Sequence, residues 1–299
     1  MPRSGTNLMR RIVGSHSQIA MPPTELRFFQ RLAQGQQVRD LLSAAPFKEK
    51  YGLAVDDLYT DGRRSAEDIY RELLERYAQQ AGKPIVGEKS PRNEFHLRRI
   101  KASLPGYDVR VIHLVRNPLD VAASLKYSPH RQPTTTDSEF SAKLRVFANN
   151  WVRSLGLGLA RSYANPSTYC VVQYERLTLN ARAQASQLVD FLGVRDETDR
   201  MLNSADFMQQ DNNTSFPTLE ADQPPGDQGI IKAARSRKSH LDKTERELVA
   251  DICGEYALAF GYDDDEFLSG SLSVDEKVQV RQPLLTRLLR TLGNSSVQR

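Results

Sequence analysis

Val111-Ile112-His113-Leu114-Val115-Arg116-Asn117-Pro118-Leu119-Asp120-Val121-Ala122-Ala123-Ser124 reads as a strand, a tight turn and a helix. Apolar, largely β-branched residues around His113 fill the first five positions and suit a buried, pleated ribbon. Pro118 fits a first helical turn, where its fixed φ helps and its missing N–H is not needed. Arg116 leaves the strand, and Ser124 follows eight residues on. About two helical turns separate them, so both can face one ligand near the helix start. The plainer alternative is an Arg116–Asp120 pair at a helix N-terminus.

The flanking sequence repeats this alternation. Pro84 to Val86 and Tyr169 to Gln173 read as strands. Residues 65–80 carry helical apolar spacing with Ser65 as N-cap candidate. Further helices are expected over 98–104, 139–163 (with Trp151), 182–192 and 243–260. Strands alternating with helices predict an α/β fold with a central, mostly parallel sheet flanked by helices. Residues 129–138 and 211–229 have turn-rich composition and no periodicity, the mark of long, potentially functional loops. The main domain is expected to span 1–267, with 268–299 as a peripheral tail.

Near the start lies Pro2-Arg3-Ser4-Gly5-Thr6-Asn7-Leu8-Met9, with a helix expected over 6–15. Gly5 allows a close backbone approach, Ser4 and Thr6 bring hydroxyls, and helix N–H groups with the positive dipole end make an anion site. Arg3 adds a fixed charge and a planar donor fork. The Gly-Lys-Ser/Thr ending of a Walker A loop is absent, which weighs against Mg-nucleotide hydrolysis. A capped surface helix is the bland alternative.

The chain has 299 residues and a formal charge of +4, which permits a polyanionic ligand without requiring one. The single short basic run, within 229–240, is too little for a nucleic-acid stripe, so no nucleic-acid partner is expected. Cys170 and Cys253 lie far apart and outside any CxxC pair, so neither a zinc site nor a disulfide framework is expected. Cys170, in a strand, is expected to be a buried small hydrophobe. No stretch has the length of a membrane-spanning helix, and no signal peptide opens the chain. A cytoplasmic location is expected, with an anchored luminal enzyme lacking its N-terminus as the alternative.

Residues 2–10 resemble the 5′-phosphosulfate loop of sulfotransferases that use 3′-phosphoadenosine 5′-phosphosulfate (PAPS), especially the tyrosylprotein and bacterial branches. Asn7 stands where a second Thr or Ser is common. Val111 to Ser124 resembles the same family's 3′-phosphate motif. The resemblance covers roughly residues 1–262 and implies a P-loop-like three-layer sandwich. It also implies PAPS as sulfuryl donor, a hydroxyl-bearing acceptor and no metal. Arg3, Ser4, Gly5, Thr6, Asn7, Arg116 and Ser124 become the implied nucleotide-binding residues. Tyr174, in Tyr174-Glu175-Arg176-Leu177, matches a family Tyr beside the nucleotide, or is a strand-end packing residue. Gly229 to His240 resembles a late basic loop that closes over the nucleotide, with Arg235, Arg237 and Lys238 as candidates.

Thr24-Glu25-Leu26-Arg27-Phe28-Phe29 resembles the Lys-Glu-x-x-Phe-Phe segment of heparan sulfate O-sulfotransferases, whose Glu is the catalytic base. Glu25 is therefore the candidate base, with Thr24 replacing the Lys. An alignment to the tyrosylprotein branch puts that Glu nearer position 23, which here is Pro23. An acidic residue favoured by a helix dipole is the plain alternative for Glu25. Gly87-Glu88-Lys89-Ser90-Pro91 resembles a family segment whose Lys contacts the sulfuryl group or acceptor, making Lys89 the second catalytic candidate. Glu88 is an alternative base. The Glu-x-x-Phe-Phe likeness suggests a saccharide or other small hydroxyl acceptor, with a tyrosyl peptide also open. A P-loop NTPase or small-molecule kinase, and an inactive anion-binding module, are the competing functions. The family's phosphate loop follows an apolar strand that this chain lacks, so a truncated start is expected.

Overall fold

The structure, a computed structural model, describes residues 1–43, 64–127, 137–203 and 236–262. Helix α1 (Thr6–Gly14) leaves Gly5, whose φ of 87° is left-handed and natural only to glycine. Met9, Ile12 and Val13 recur at helical spacing and are buried. Strand β1 (Ile19–Ala20) follows, then helices α2 (Phe28–Ala33) and α3 (Val38–Ser43). Helix α4 (Ala66–Ala81) starts where expected: the Ser65 side chain accepts from the Asp68 amide at 3.1 Å. It stops at Gly82, in the left-handed conformation that ends many helices. Strand β2 (Ile85–Val86), a 3₁₀ turn (Asn93–Phe95) and helix α5 (Leu97–Ala102) come next.

Strand β3 (Val111–Val115) leads into helix α6 (Pro118–Lys126), and the long helix α7 (Asp137–Ala164) into strand β4 (Tyr169–Gln173). Helices α8 (Tyr174–Leu179), α9 (Ala181–Leu192) and α10 (Thr198–Asn203) follow. A 3₁₀ turn (Lys238–His240) precedes helix α11 (Lys243–Phe260), which opens on a capping box between Asp242 and Glu245.

The expected parallel sheet takes the form, among the described residues, of two parallel pairs. β1 pairs with β2 in the register Ile19↔Ile85, and β3 with β4 in the register Val111↔Tyr169. Alternation along β3 and β4 builds three layers. Leu114 and Val172 face a core shared with α1, α9 and α10, including Ile12, Leu188 and Met201. Val115 and Val171 face the opposite core, where Leu119, Trp151 and Cys253 join α6, α7 and α11. The α1 core also takes in Ile19 of β1, so one helix ties the two strand pairs together. A third core gathers Phe28, Phe29, Leu41, Ile69, Tyr70 and Leu73 from α2, α3 and α4.

His113 points from β3 toward α7, where its Nε2 meets Ser154 Oγ at 3.1 Å and its Nδ1 meets Tyr169 Oη at 2.8 Å. A Cβ at position 158 would lie 2.5 Å from that ring, so Gly158 is the contact that lets α7 approach the sheet. Cys170 departs from expectation. It is only partly buried where it packs against the α1-facing core, whereas Cys253 is fully buried. Leu241, Val249, Ala257 and Tyr262 sit in the same core as Trp151, so 241–262 is integral to the domain. The expected loop at 211–229, the tail from 268 and the boundary at 267 lie outside the described residues, as do residues 129–136 of the other loop.

Candidate active site

The C-terminal ends of parallel strands leave their loops on one edge, where α/β proteins bind ligands. The loop after β3 is fixed from three sides. Trp151 Nε1 donates to the Arg116 carbonyl at 3.0 Å. The Asn117 side chain caps α6 by accepting from the Leu119 amide at 2.9 Å. Its own amide donates to Glu175 Oε1 at 2.9 Å, and Tyr262 Oη donates to the other Glu175 oxygen at 3.1 Å. Burial pushes the Glu175 carboxyl above its ordinary value, against those hydrogen bonds and Arg116.

Arg116 and Ser124 are both buried, and both reach the loop before α1. Arg3 Nε donates to Ser124 Oγ at 3.0 Å, and an Arg116 terminal nitrogen lies 3.5 Å from the Arg3 carbonyl. The Arg116 guanidinium stacks 4.5 Å above the Tyr174 ring. That ring lies against the backbone of Gly5, where a Cβ would come within 2.3 Å of it. Tyr174 begins α8 rather than ending the strand. Arg3 holds a left-handed φ of 62°. Burial lowers its pKa, as do the positive charges of Arg116 and Arg237, with Glu25 opposing. Three arginines thus converge on one small region.

The loop after β2 supplies a fourth cation. Lys89 Nζ donates to Asn7 Oδ1 at 2.6 Å and to Glu25 Oε1 at 2.5 Å. Lys89 therefore spans the phosphate-type loop and the candidate base. Burial lowers its pKa, while Glu25 works against the shift. Burial acts to raise the Glu25 carboxyl, but Lys89 and Arg27 together outweigh it and hold it below the ordinary carboxylate range. Glu88 faces elsewhere. Its oxygens accept from the Leu26 amide at 3.3 Å, from Ser90 Oγ and from Asn93 Nδ2 at 2.5 Å. Burial pushes its carboxyl up despite those bonds.

Arg3, Ser4, Gly5, Thr6, Asn7, Glu25, Lys89, Arg116 and Tyr174 thus belong to loops and helix starts that adjoin one another, and Ser124, from the later part of α6, reaches them through Arg3. Lys238 lies in the 3₁₀ turn beside α6, and Arg235 lies outside the described residues. Arg237, named only as one of a run, is the member whose charge reaches Arg3. Its amide donates to Asp120 Oδ1 at 2.6 Å. Asp120 entered the sequence reading only in the alternative Arg116–Asp120 pair, and its bond to the Arg237 amide has no local signal. Arg27 was also missed as a site residue. It ion-pairs with Glu25 at 2.5 Å and stands two positions from it in the quoted motif.

These positions gather cations and unpaired donors suited to an anionic ligand. Among the described residues, the buried Ser4 Oγ and Arg116 Nε have no hydrogen-bond partner, although buried polar groups are nearly always paired. An anion between Arg3, Arg116 and Arg237 would satisfy such donors and offset the like-charge repulsion.

Residues 1–198 match the model of the Sulfotransferase family. The chain belongs to the sulfotransferase family. No curated protein matches it. Among solved structures, the sulfotransferase domain of the Synechococcus PCC 7002 olefin synthase is similar at 21% identity, covering 88% of this chain and 92% of that one, with a TM-score of 0.49. The sulfotransferase domain from the curacin biosynthetic pathway is similar at 22% identity, covering 81% and 80%, with a TM-score of 0.46. Membership rests on the sequence match, which takes in the loops bearing Arg3, Glu25, Lys89, Arg116 and Tyr174. Among the described residues no helix is long and apolar enough to cross a membrane, and no group of three or more His, Cys, Asp or Glu gathers to hold a metal ion.

Proposed function

We propose that this sulfotransferase moves a sulfuryl group from PAPS to an acceptor hydroxyl, with Glu25 as base and residues 1–267 as the catalytic unit. The observation that carries the reading is Lys89, whose ammonium joins Asn7 of the phosphate-type loop to the Glu25 carboxylate. PAPS supplies the sulfuryl group and the leaving phosphate. The loop around Ser4 to Asn7 and the α1 N-terminus hold the 5′-phosphosulfate end. Arg3, Arg116 and Ser124 hold the 3′-phosphate, while Tyr174 and Arg116 form the wall between. The Arg116–Ser124 pair favours PAPS over ATP, because ATP has no 3′-phosphate.

Glu25 takes the acceptor proton as the hydroxyl oxygen bonds to sulfur. The sulfur–oxygen bond to the 5′-phosphate breaks, and that phosphate keeps the electron pair. Lys89 and the loop N–H groups stabilise its growing charge, as fixed donors do most of the work in the analogous phosphoryl transfers. A carboxylate paired with two cations is a weak base, and it strengthens as Lys89 turns toward the donor. A saccharide or other small hydroxyl compound is the acceptor class we favour, on the Glu-x-x-Phe-Phe likeness.

An acceptor screen with ³⁵S-labelled PAPS tests the proposal, with Glu25→Gln as control. Label transfer is expected from the wild type, falling at least about 100-fold in Glu25→Gln, the loss typical of a missing general base. Binding of the desulfated product, 3′-phosphoadenosine 5′-phosphate (PAP), should survive. Full transfer by Glu25→Gln would remove Glu25 from the role. Mg-dependent ATP turnover without sulfuryl transfer would overturn the whole reading.

A further inference from the structure

We infer that Glu88, together with Ser90, is a positioning pair that sets the spacing of Glu25 and Lys89. The inference rests on the roles proposed for those two residues.

The geometry is simple. Glu25 lies on the loop after β1, and Lys89 on the loop after β2. The strands supply a short parallel ladder, ending with the Gly87 amide on the Ala20 carbonyl at 2.9 Å. Beyond it, two bonds run in the opposite sense. The Leu26 amide donates to Glu88 Oε1 at 3.3 Å, and the Arg27 amide donates to Ser90 Oγ at 2.7 Å. Ser90 Oγ in turn donates to Glu88 Oε1, and Asn93 Nδ2 braces the second carboxylate oxygen. Glu88 and Leu26 are the chain neighbours of Lys89 and Glu25. One hydrogen bond therefore fixes the two backbones one residue away from each candidate catalytic side chain.

Backbone strain points the same way. Arg27 has a φ of 50° and Arg92 a φ of 76°, left-handed values that a residue with a Cβ resists. Such conformations persist only where surroundings over-determine them, and they gather at functional sites. Arg27 is the residue whose amide Ser90 holds. Glu88 is directed at amides and polar side chains, so it is a support and not a second base.

The test is a ¹³C NMR titration of the Glu25 carboxyl in the full chain, paired with turnover and PAP calorimetry. Lys89, Arg27 and Arg3 are the cations that face Glu25, from the β2 loop, its own loop and the α1 loop. In the wild type Glu25 should titrate below its ordinary 4.5. In Glu88→Ala the loops drift apart, and the titration should move up toward 4.5. Turnover should fall on the order of 10- to 100-fold, the effect of a misplacement near 1 Å, with PAP affinity unchanged. Glu88→Gln keeps an oxygen for Leu26 and Ser90 and should restore the wild-type titration and most of the rate. Should Glu88→Ala fail to fold, Ser90→Ala removes the Arg27 acceptor and the Ser90 bond to Glu88 while keeping the Glu88 carboxylate, and should shift Glu25 the same way. An unmoved Glu25 titration in the folded variant, or Glu88→Gln as damaged as Glu88→Ala, overturns the inference. The titration needs no turnover. If the wild type neither binds PAP nor transfers a sulfuryl group, the functional reading fails while the titration still decides whether Glu88 and Ser90 set the spacing of Glu25 and Lys89.

Discussion

Gly5→Ala probes the joint between the two candidate phosphate sites. Two separate penalties arise there. Alanine at a φ of 87° pays the left-handed cost of about 1–2 kcal/mol. Its Cβ would also lie 2.3 Å from two carbons of the Tyr174 ring. The ring must move, and it then leaves the Arg116 guanidinium stacked 4.5 Å above it, an interaction of about 0.5–2 kcal/mol. Together these give about 1.5–4 kcal/mol, roughly a 10- to 700-fold loss of PAP affinity when expressed in binding. PAP calorimetry reads that part, and thermal melting reads whatever falls on folding instead. Tyr174→Ala provides the cross-check. Without the ring, Gly5→Ala should cost only its backbone part, leaving a coupling of about 0.5–2 kcal/mol between the two sites. Wild-type PAP affinity and melting temperature in Gly5→Ala, or strictly additive effects in the double variant, would refute this packing.

Two other expectations are independent of it. Burial lowers the His113 pKa to about 4, helped by the nearby N-terminal amine and opposed by Glu94. The unfolded chain takes up this proton near 6.5 and the native state only near 4, so stability should fall as pH drops through that window. His113→Gln should flatten the fall in pH-dependent denaturant melts, and an unchanged slope would reject the assignment. Asp120→Ala removes the acceptor of the Arg237 amide and should weaken PAP binding about tenfold, the effect of one charge-assisted hydrogen bond. Arg237→Ala should then cost nothing further in that background, and full additivity would mean that Asp120 does not place Arg237.

The elements with strong local signals were readable from sequence alone. The Ser65 cap, Pro118 at a helix start and the apolar spacing over 243–260 each match the structure closely. The β3–α6 motif was legible because strand period, turn and helix start all lie within fourteen residues. Strand β1 was not, because two residues carry no periodicity and its pairing with β2 spans 66 positions, from Ile19 to Ile85. The same holds within the site. Lys89 and Glu25 could be named from motifs, but their shared hydrogen bond arises only when two strand ends lie side by side. Arg237 was one cation in a basic run, and its selection depends on Asp120, 117 residues earlier. Glu88 reads as an alternative base from its motif, and its bond to the Leu26 amide, on a loop 62 positions earlier, carries no local signal.

The central claim is that two separate anion sites hold one nucleotide bearing both a 5′- and a 3′-phosphate. Calorimetric titration of the full chain with PAP and with 5′-AMP tests it directly. PAP should bind about 100-fold more tightly, because Arg116 and Ser124 add charge-assisted hydrogen bonds that AMP cannot receive. Arg116→Ala should collapse that ratio while leaving AMP binding nearly unchanged. Equal affinity of the wild type for the two nucleotides, or no binding of either, would contradict the claim.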